Sequence, residues 1–312
     1  MNIAAQASQL DTGSRPVCLA IGVFDGVHVG HQEVIRQTLE DARLHDAMPV
    51  IVTFDSHPAS VLSSRRIPGM IYSLAHKIQV LSQFEPAALL LLHFDLAFSQ
   101  KTAGVFIEEL VRDFGTMRSI RVGTNFRFGH QRAGNLALLN QLGERFGYAA
   151  HGCPPVTVDG HRVSSTRIRE GIEAGQLGPV GKMLGRPYSI VSPVIRGDQL
   201  GRKLGFPTAN MDATGLMPPP CGVYAARVFV RGVAHEAVLN IGVRPTLELA
   251  APPLRVEVHL LDFDGDLYGS EIETVPVQML RPEQQFPSLD ALKNQIARDI
   301  QAARAILATN AA

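Results

Sequence analysis

Ile21-Gly-Val-Phe-Asp-Gly-Val-His-Val-Gly-His31 follows an apolar run and opens a helical one. Before it, Val17–Val23 has the length and composition of a buried strand. After it, in 31–45, Val34, Ile35, Leu39 and Ala42 fall on one face of a helix. A strand that passes through a glycine-rich turn into a helix brings backbone close to a ligand. Gly26 and Gly30 permit that approach. The helix N-terminus adds free N–H groups and the positive end of a dipole. His28 and His31, three apart, share a face once the helix has begun. Imidazole donors at such a place suit phosphate oxygens. Two histidines near a turn can also be plain surface residues. Their spacing after an apolar strand and a glycine turn favours the phosphate-binding reading.

The strand–helix pattern repeats outward from this stretch. Val50–Phe54, Ala87–Phe94 and Ser119–Val122 read as further short buried strands, and 73–84, 102–114 and 134–147 as helices. Alternation of this kind predicts an α/β domain, a parallel sheet with helices on both faces. Such sheets bind ligands beyond the carboxyl ends of their strands. Near residue 176 the texture changes, and Gly175–Pro179 and Leu184–Pro187 read as a short connection. Shorter alternating runs follow at Ser189–Ile195, Val223–Val230, Glu236–Ile241, Leu254–Leu261 and Ile272–Met279, separated by turns such as Arg231-Gly232. They predict an antiparallel barrel or sandwich. A last helix, 288–308, carries Leu289, Leu292, Ile296, Ile300 and Ala303 on one face. The predicted domains are 1–183 and 184–312.

Three further segments carry candidate chemistry. In Val163-Ser-Ser-Thr-Arg-Ile-Arg169, Ser164 or Ser165 would cap a helix, and Arg167 and Arg169 would then stand in its first turn against the dipole. A docked anion would offset that conflict; a solvated turn costing about 0.3–1 kcal/mol is the plain alternative. In Val122-Gly-Thr-Asn-Phe-Arg-Phe-Gly129, Asn125 is a candidate reader of an adenine or phosphate edge, and Phe126 and Phe128 either stack on an aromatic ring or fill the core, the core reading being favoured. Gly201-Arg-Lys-Leu-Gly-Phe-Pro-Thr-Ala-Asn210 is too polar and glycine-rich for a strand and reads as a loop. It either closes over phosphates, with Thr208 and Asn210 offering oxygens to Mg²⁺, or is an ordinary surface loop. In Leu254–Leu260, Val256, Val258 and Leu260 share one face and Arg255, Glu257 and His259 the other. That polar face is either solvated or gives Glu257 the role of a base. Asp262–Asp266 has its glycine at the wrong offset for a calcium loop and reads as a hairpin turn with Tyr268 packed behind it.

Composition narrows the classes. Apolar residues are 46% and charged ones 19%, which excludes wholesale disorder. The 29 basic and 29 acidic side chains balance, so duplex nucleic acid is a poor partner. Cys18, Cys153 and Cys221 are far apart with no C-x-x-C pair, which fits a reducing compartment rather than a disulfide framework. The start lacks the form of a signal peptide, and the run Ala87–Leu92 is far short of the ~20 residues of a membrane span. The expected setting is cytoplasmic, with no membrane or nucleic-acid partner. No G-x-G-x-x-G occurs, and Gly181-Lys182 is followed by Met183 with Gln176 at the first glycine position, so neither a Rossmann dehydrogenase nor a P-loop enzyme is indicated.

The ordered set GVFDGVHVGH, VTFDSHP, VGTNFRFG, VSSTRIR, LGRPY, GRKLGFPTAN, GVYAARV, LNIGVRPT and VEVHLLDFDGDLYG resembles the bacterial bifunctional riboflavin kinase/FAD synthetase family, from about Cys18 to Ala303. The resemblance implies a Rossmann-like nucleotidyltransferase domain that adenylylates FMN with ATP, giving FAD and pyrophosphate. It also implies a C-terminal barrel that phosphorylates riboflavin to FMN. Riboflavin, FMN, FAD and ATP would be the ligands and Mg²⁺ the metal. His28 and His31 would contact ATP phosphates, and Gly22, Phe24, Asp25, Gly30, Asn125, Ser164, Ser165, Thr166, Arg167 and Arg169 would complete that nucleotide site. In the kinase domain Gly201, Gly205, Thr208 and Asn210 would bind Mg-nucleotide, with Thr208 and Asn210 on the metal and Glu257 as base. The sequence departs from the family's usual pattern at Thr124, Asn125, Ser192 and Arg196. Two other readings are a single-activity FMN adenylyltransferase with a flavin-binding barrel and a non-catalytic flavin or nucleotide sensor.

Overall fold

A computed structural model describes residues 1–56, 61, 69–197, 200–243 and 254–309. Residues 57–58 of the VTFDSHP motif and residues 244–246 of LNIGVRPT lie outside them. The chain forms two compact units, one drawn from Met1–Met70 and His76–Arg167, the other from Ile71–Ala75 and Ile168–Ala312.

The first unit is built on a six-stranded parallel sheet: β1 (Asn2–Ala4), β2 (Val17–Ile21), β3 (Met48–Phe54), β4 (Ala88–Leu92), β5 (Met117–Gly123) and β6 (Ala149–Cys153). Their spatial order is β1-β4-β3-β2-β5-β6. Alternation along β2 explains the layers. Val17, Leu19 and Ile21 join one apolar core with Phe106, Ile107 and Leu110 of α4 (Ala103–Phe114) and Leu139 and Leu142 of α5 (Leu136–Phe146). Cys18 packs with Ala42 of α1 (Val29–Leu44) in a second cluster. Two shorter helices, α2 (Leu74–Ser82) and α3 (Leu96–Ser99), lie between β3 and α4 in the chain. Thr102 and Asn135 cap α4 and α5 through their side-chain oxygens. The edge strands β1 and β6 escaped the sequence reading. One has three residues, and the other, Ala-Ala-His-Gly-Cys, is half exposed and lacks an apolar pattern.

Chain order runs β2, β3, β4 outward in one direction and resumes on the other side of β2 with β5. That reversal opens a crevice beyond the carboxyl ends of β2 and β5, where open parallel sheets hold ligands. A hairpin of β7 (Thr157–Val158) and β8 (His161–Arg162) follows, then α6 (Ser165–Glu173) and α7 (Leu177–Leu184).

The second unit is a closed antiparallel barrel, in spatial order β10-β13-β12-β11-β14-β9. Its strands are β9 (Ile190–Ile195), β10 (Ala209–Met211), β11 (Gly222–Val230), β12 (Val233–Val243), β13 (Leu254–Leu260) and β14 (Glu271–Pro282). Inside it Leu239, Ile241, Val256 and Val258 are buried. Outside, α9 (Leu289–Thr309) lays Ala303 and Leu307 on Val223, Ala225 and Val238. Leu289, expected on that apolar face, is 60% exposed. Asp299 is buried instead and pairs with Arg281 of β14 at 2.8 Å. Tyr268, expected behind the 262–266 turn, is exposed, with the Arg196 guanidinium 5.7 Å from its ring centre. The segment 201–210, read wholly as loop, holds α8 (Leu200–Leu204) and β10. In the same unit the Ser73 hydroxyl donates to the Val191 carbonyl at 3.1 Å.

Candidate active sites

At the end of β2 the chain leaves the sheet at Gly22. A Cβ there would lie 2.9 Å from the Phe24 ring, so glycine is required for the turn to close. Phe24 is left-handed (φ 51°, ψ 32°), as are Gly26 (φ 76°) and Val27 (φ 39°). A β-branched residue in that region is strained. The turn delivers His28 as the N-cap of α1: its Nδ1 accepts from the His31 N–H at 3.2 Å. A neutral ring that accepts at Nδ1 carries its proton on Nε2. The two imidazoles stack, 3.5 Å between centres and 16° between planes, with Phe24 edge-on to His31. A Cβ at Gly30 would sit 3.2 Å from the His28 ring. Burial above all, then the cost of placing positive charge on His31 beside the stacked His28 ring and the Lys77 ammonium, pushes His31 well below the usual histidine range, so it is a neutral donor. Its Nδ1 is buried without a hydrogen-bond partner.

These histidines line a cavity of about 1050 Å³. Gly22, Phe24, Gly30, Asn125, Ser164 and Ser165 line it too. The Ser164 hydroxyl caps α6, accepting from Arg167 N–H at 3.2 Å, and the Ser165 hydroxyl donates to the Asp25 carbonyl at 3.1 Å. Asp25, Thr166, Arg167 and Arg169 are not among the lining residues. Asp25 is buried and Thr166 is exposed. The Arg167 guanidinium turns back to the carbonyls of Val158, His161 and Arg162, which answers its unfavourable place in the first turn without an anion. Arg169 stands in the second turn, where the dipole is weaker than the sequence reading supposed.

Several lining residues were missed from sequence. Arg162 meets Asn125: with the amide oxygen facing it, the guanidinium donates at 2.7 and 3.0 Å. Phe54, Phe94 and Phe98 form an aromatic wall with centroid separations of 5.4–5.7 Å. Phe126 and Phe128, read as core, are packed in it and also line the cavity, stacked at 5.4 Å. Lys77 of α2 is buried, its Nζ donating to the Phe54 carbonyl at 2.6 Å. A lysine in line with Val80 and Leu81 on an apolar helical stripe was the available signal.

In the barrel, backbone register brings the second constellation together. Asn210 pairs opposite Glu257, and Glu257 opposite Asn240 on its other side. A Cβ on Gly197 would fall 2.3 Å from Asn210 Nδ2, and one on Gly201 would fall 2.4 Å from the Phe206 carbonyl and 3.1 Å from Thr208 Oγ1. Gly205 needs its φ of 91°. His259, on the same strand face as Glu257, donates from Nδ1 to the Pro207 carbonyl at 2.7 Å and so steadies the residue before Thr208. Arg255 lies 3.4 Å from Glu257. Thr208 and Asn210 offer a hydroxyl and an amide oxygen, hard donors of the kind Mg²⁺ takes alongside phosphates and water. Among the described residues no group of three or more His, Cys, Asp or Glu side chains is arranged to hold a metal by itself.

Residues 11–167 match the FAD synthetase family model and residues 184–307 the riboflavin kinase model. A bifunctional riboflavin kinase/FMN adenylyltransferase of Haemophilus influenzae is 36% identical over 288 residues, 92% of this chain and 93% of that one. The chain belongs to the bifunctional riboflavin kinase/FMN adenylyltransferase family. Members from Escherichia coli K12 (37% identical, 92% and 91% covered) and Pseudomonas fluorescens (36% identical, 94% of each covered) are similarly close. A solved structure titled as a macrolide-efflux protein from Streptococcus pneumoniae aligns with a TM-score of 0.80 at 28% identity, over 97% of this chain and 98% of that one. No described helix here is long and apolar enough to cross a membrane.

Proposed function

We propose that this chain makes FAD from riboflavin in two ATP-dependent steps at separate sites: the barrel phosphorylates riboflavin, and the parallel-sheet unit transfers AMP from ATP to the resulting FMN. The observation that carries the reading is the cavity at the switch point of the sheet. One wall is a helix N-terminus topped by two stacked imidazoles and the other is a phenylalanine cluster. A nucleotide triphosphate fits the first wall and a flavin ring the second.

In adenylyl transfer the nucleophile is an FMN phosphate oxygen, already ionised, so the site needs position and charge neutralisation more than a base. His28 donates from Nε2 and His31 as a neutral imidazole toward the leaving pyrophosphate. Ser164, Ser165 and Asn125, the last held by Arg162, fix the rest of the nucleotide. Gly22, Phe24, Asp25 and Gly30 shape the turn. Thr166, Arg167 and Arg169 support the start of α6. In the kinase step the nucleophile is a neutral ribityl hydroxyl, and Glu257 accepts its proton. The Asn210–Glu257 register supports this, since it sets the base beside the nucleotide-binding strand. Thr208 and Asn210 would hold Mg²⁺, which when bound neutralises phosphate charge. Gly201 and Gly205 let the loop close. The three unpaired thiols suit a cytoplasmic setting.

The test is to incubate the purified protein with riboflavin and MgATP and separate the flavins. FMN followed by FAD is expected. Formation of neither overturns the reading, and FAD from added FMN without FMN from riboflavin would leave a single-activity adenylyltransferase.

A further inference from the structure

The turn between β2 and α1 holds three left-handed residues in four positions, Phe24, Gly26 and Val27, one of them β-branched. Strain of that kind persists only where the surroundings over-determine it. The flank at Val23 is held by two side chains from outside the turn. The Thr53 hydroxyl donates to the Val23 carbonyl at 3.0 Å and Lys77 Nζ reaches the same oxygen at 3.4 Å. Lys77 also donates to the Phe54 carbonyl at 2.6 Å and lies 3.5 Å from Thr53 Oγ1. Its ammonium therefore ties the chain just beyond β2 to the end of β3. It is 1% exposed, so it is not placed to neutralise a solvent-borne ion. A buried charge is costly, and this one, held by these oxygens, is retained at the root of the crevice.

We infer that Lys77 is a positioning residue for adenylyl transfer: its buried ammonium, by holding the Val23 and Phe54 carbonyls, keeps the strained turn in the form that sets His28 and His31 against the nucleotide phosphates. The inference rests on the adenylylation reading above. The charges around it agree. Asp25 of the turn and Asp55 after β3 favour the ammonium, His31 of α1 faces it, and His76 adjoins it on α2. Burial outweighs the two carboxylates and lowers Lys77 to about 8. The ammonium is thus the major form at neutral pH, and the tie weakens as it deprotonates at higher pH.

K77M removes the donors and keeps the bulk, whereas K77R keeps a charge that does not titrate in this range. Both are measured against wild type for FMN adenylylation and, in the same tube, riboflavin phosphorylation, below each variant's melting transition. For K77M the expected result is an adenylylation kcat lower by ~10–10²-fold, the size of effect a small misplacement produces, with KM for ATP nearly unchanged. Phosphorylation should stay at the wild-type rate. Wild-type adenylylation should decline as pH rises through about 8, and in K77R that decline should move to higher pH. A K77M kcat within about twofold of wild type overturns the inference. If K77M proves unstable and loses both activities, K77R decides: an alkaline decline coincident with wild type overturns it. Absence of FAD formation by the wild-type protein defeats the adenylylation reading instead, on which this one depends.

Discussion

In the proposed reactions His31 serves adenylyl transfer and Glu257 serves phosphorylation. His31 sits under His28 and against Phe24, kept neutral above all by burial and further by the nearby Lys77 ammonium. It can donate a hydrogen bond but brings no charge of its own. Its replacement by alanine should lower FAD formation from FMN by ~10²–10³-fold, the usual worth of one preorganised donor to developing negative charge. Riboflavin phosphorylation should be spared, so FMN should accumulate; a steady-state flavin assay on H31A checks this. The sequence marked both histidines as candidates for phosphate contact through the glycine turn, because spacing after a strand is local information. It did not show Lys77 or Arg162, because what marks them is depth of burial in one case and a partner 37 residues away in the other.

At the scale of elements, α1 is bound to β5 by a nearly closed polar cluster. Arg121 donates to both oxygens of Asp41 at 2.6 and 2.7 Å, the Ser119 hydroxyl adds a third bond at 2.8 Å, and Gln37 accepts from Arg121 at 2.7 Å. Burial works to raise the Asp41 carboxyl, but the Arg121 and Ser119 bonds prevail and hold it below its ordinary value. Because the folded pKa lies below the unfolded one, the cluster's stabilisation is full above pH ~4 and fades as pH falls through the folded value. D41N should remove about 2–4 kcal/mol at neutral pH, somewhat under the loss typical of a fully buried pair because Arg121 keeps some exposure. It should also flatten the acid limb of stability; urea unfolding from pH 3 to 7 reads both. In the barrel, G201A would drive a methyl into the Phe206 carbonyl and toward Thr208. The expected effect is a rise of ~10-fold or more in KM for ATP in phosphorylation, with FMN adenylylation unmoved. The long strands were legible from alternation and apolar runs. β10 was not, since three residues carrying Asn210 acquire a strand's form only from β9 and β13 on either side. Nor was the buried Asp299, which breaks the apolar stripe of α9 yet is satisfied by Arg281.

For the molecule as a whole, an α/β part and a β part were legible from the change of texture along the chain; apart from Arg169, the adenylylation candidates lie in the first compact unit and the phosphorylation candidates in the second. What sequence could not give was the pairing of Asn210 with Glu257, because 46 residues and most of the barrel's chain path separate them. Mg²⁺ neutralises triphosphate charge in reactions of this class, so both activities should fail in excess chelator and return with added Mg²⁺, as measured by product flavins. On the proposed function, two sites in one chain act independently and in series, and E257Q separates them. Glutamine keeps the size and the hydrogen-bonding reach of Glu257 but accepts no proton. With riboflavin and MgATP, FMN formation should fall by ~10²–10⁴-fold, while the same preparation given FMN and MgATP should make FAD at the wild-type rate. Loss of both activities in a variant with unchanged circular dichroism would contradict the independence of the sites, and phosphorylation near the wild-type rate would contradict Glu257 as the base.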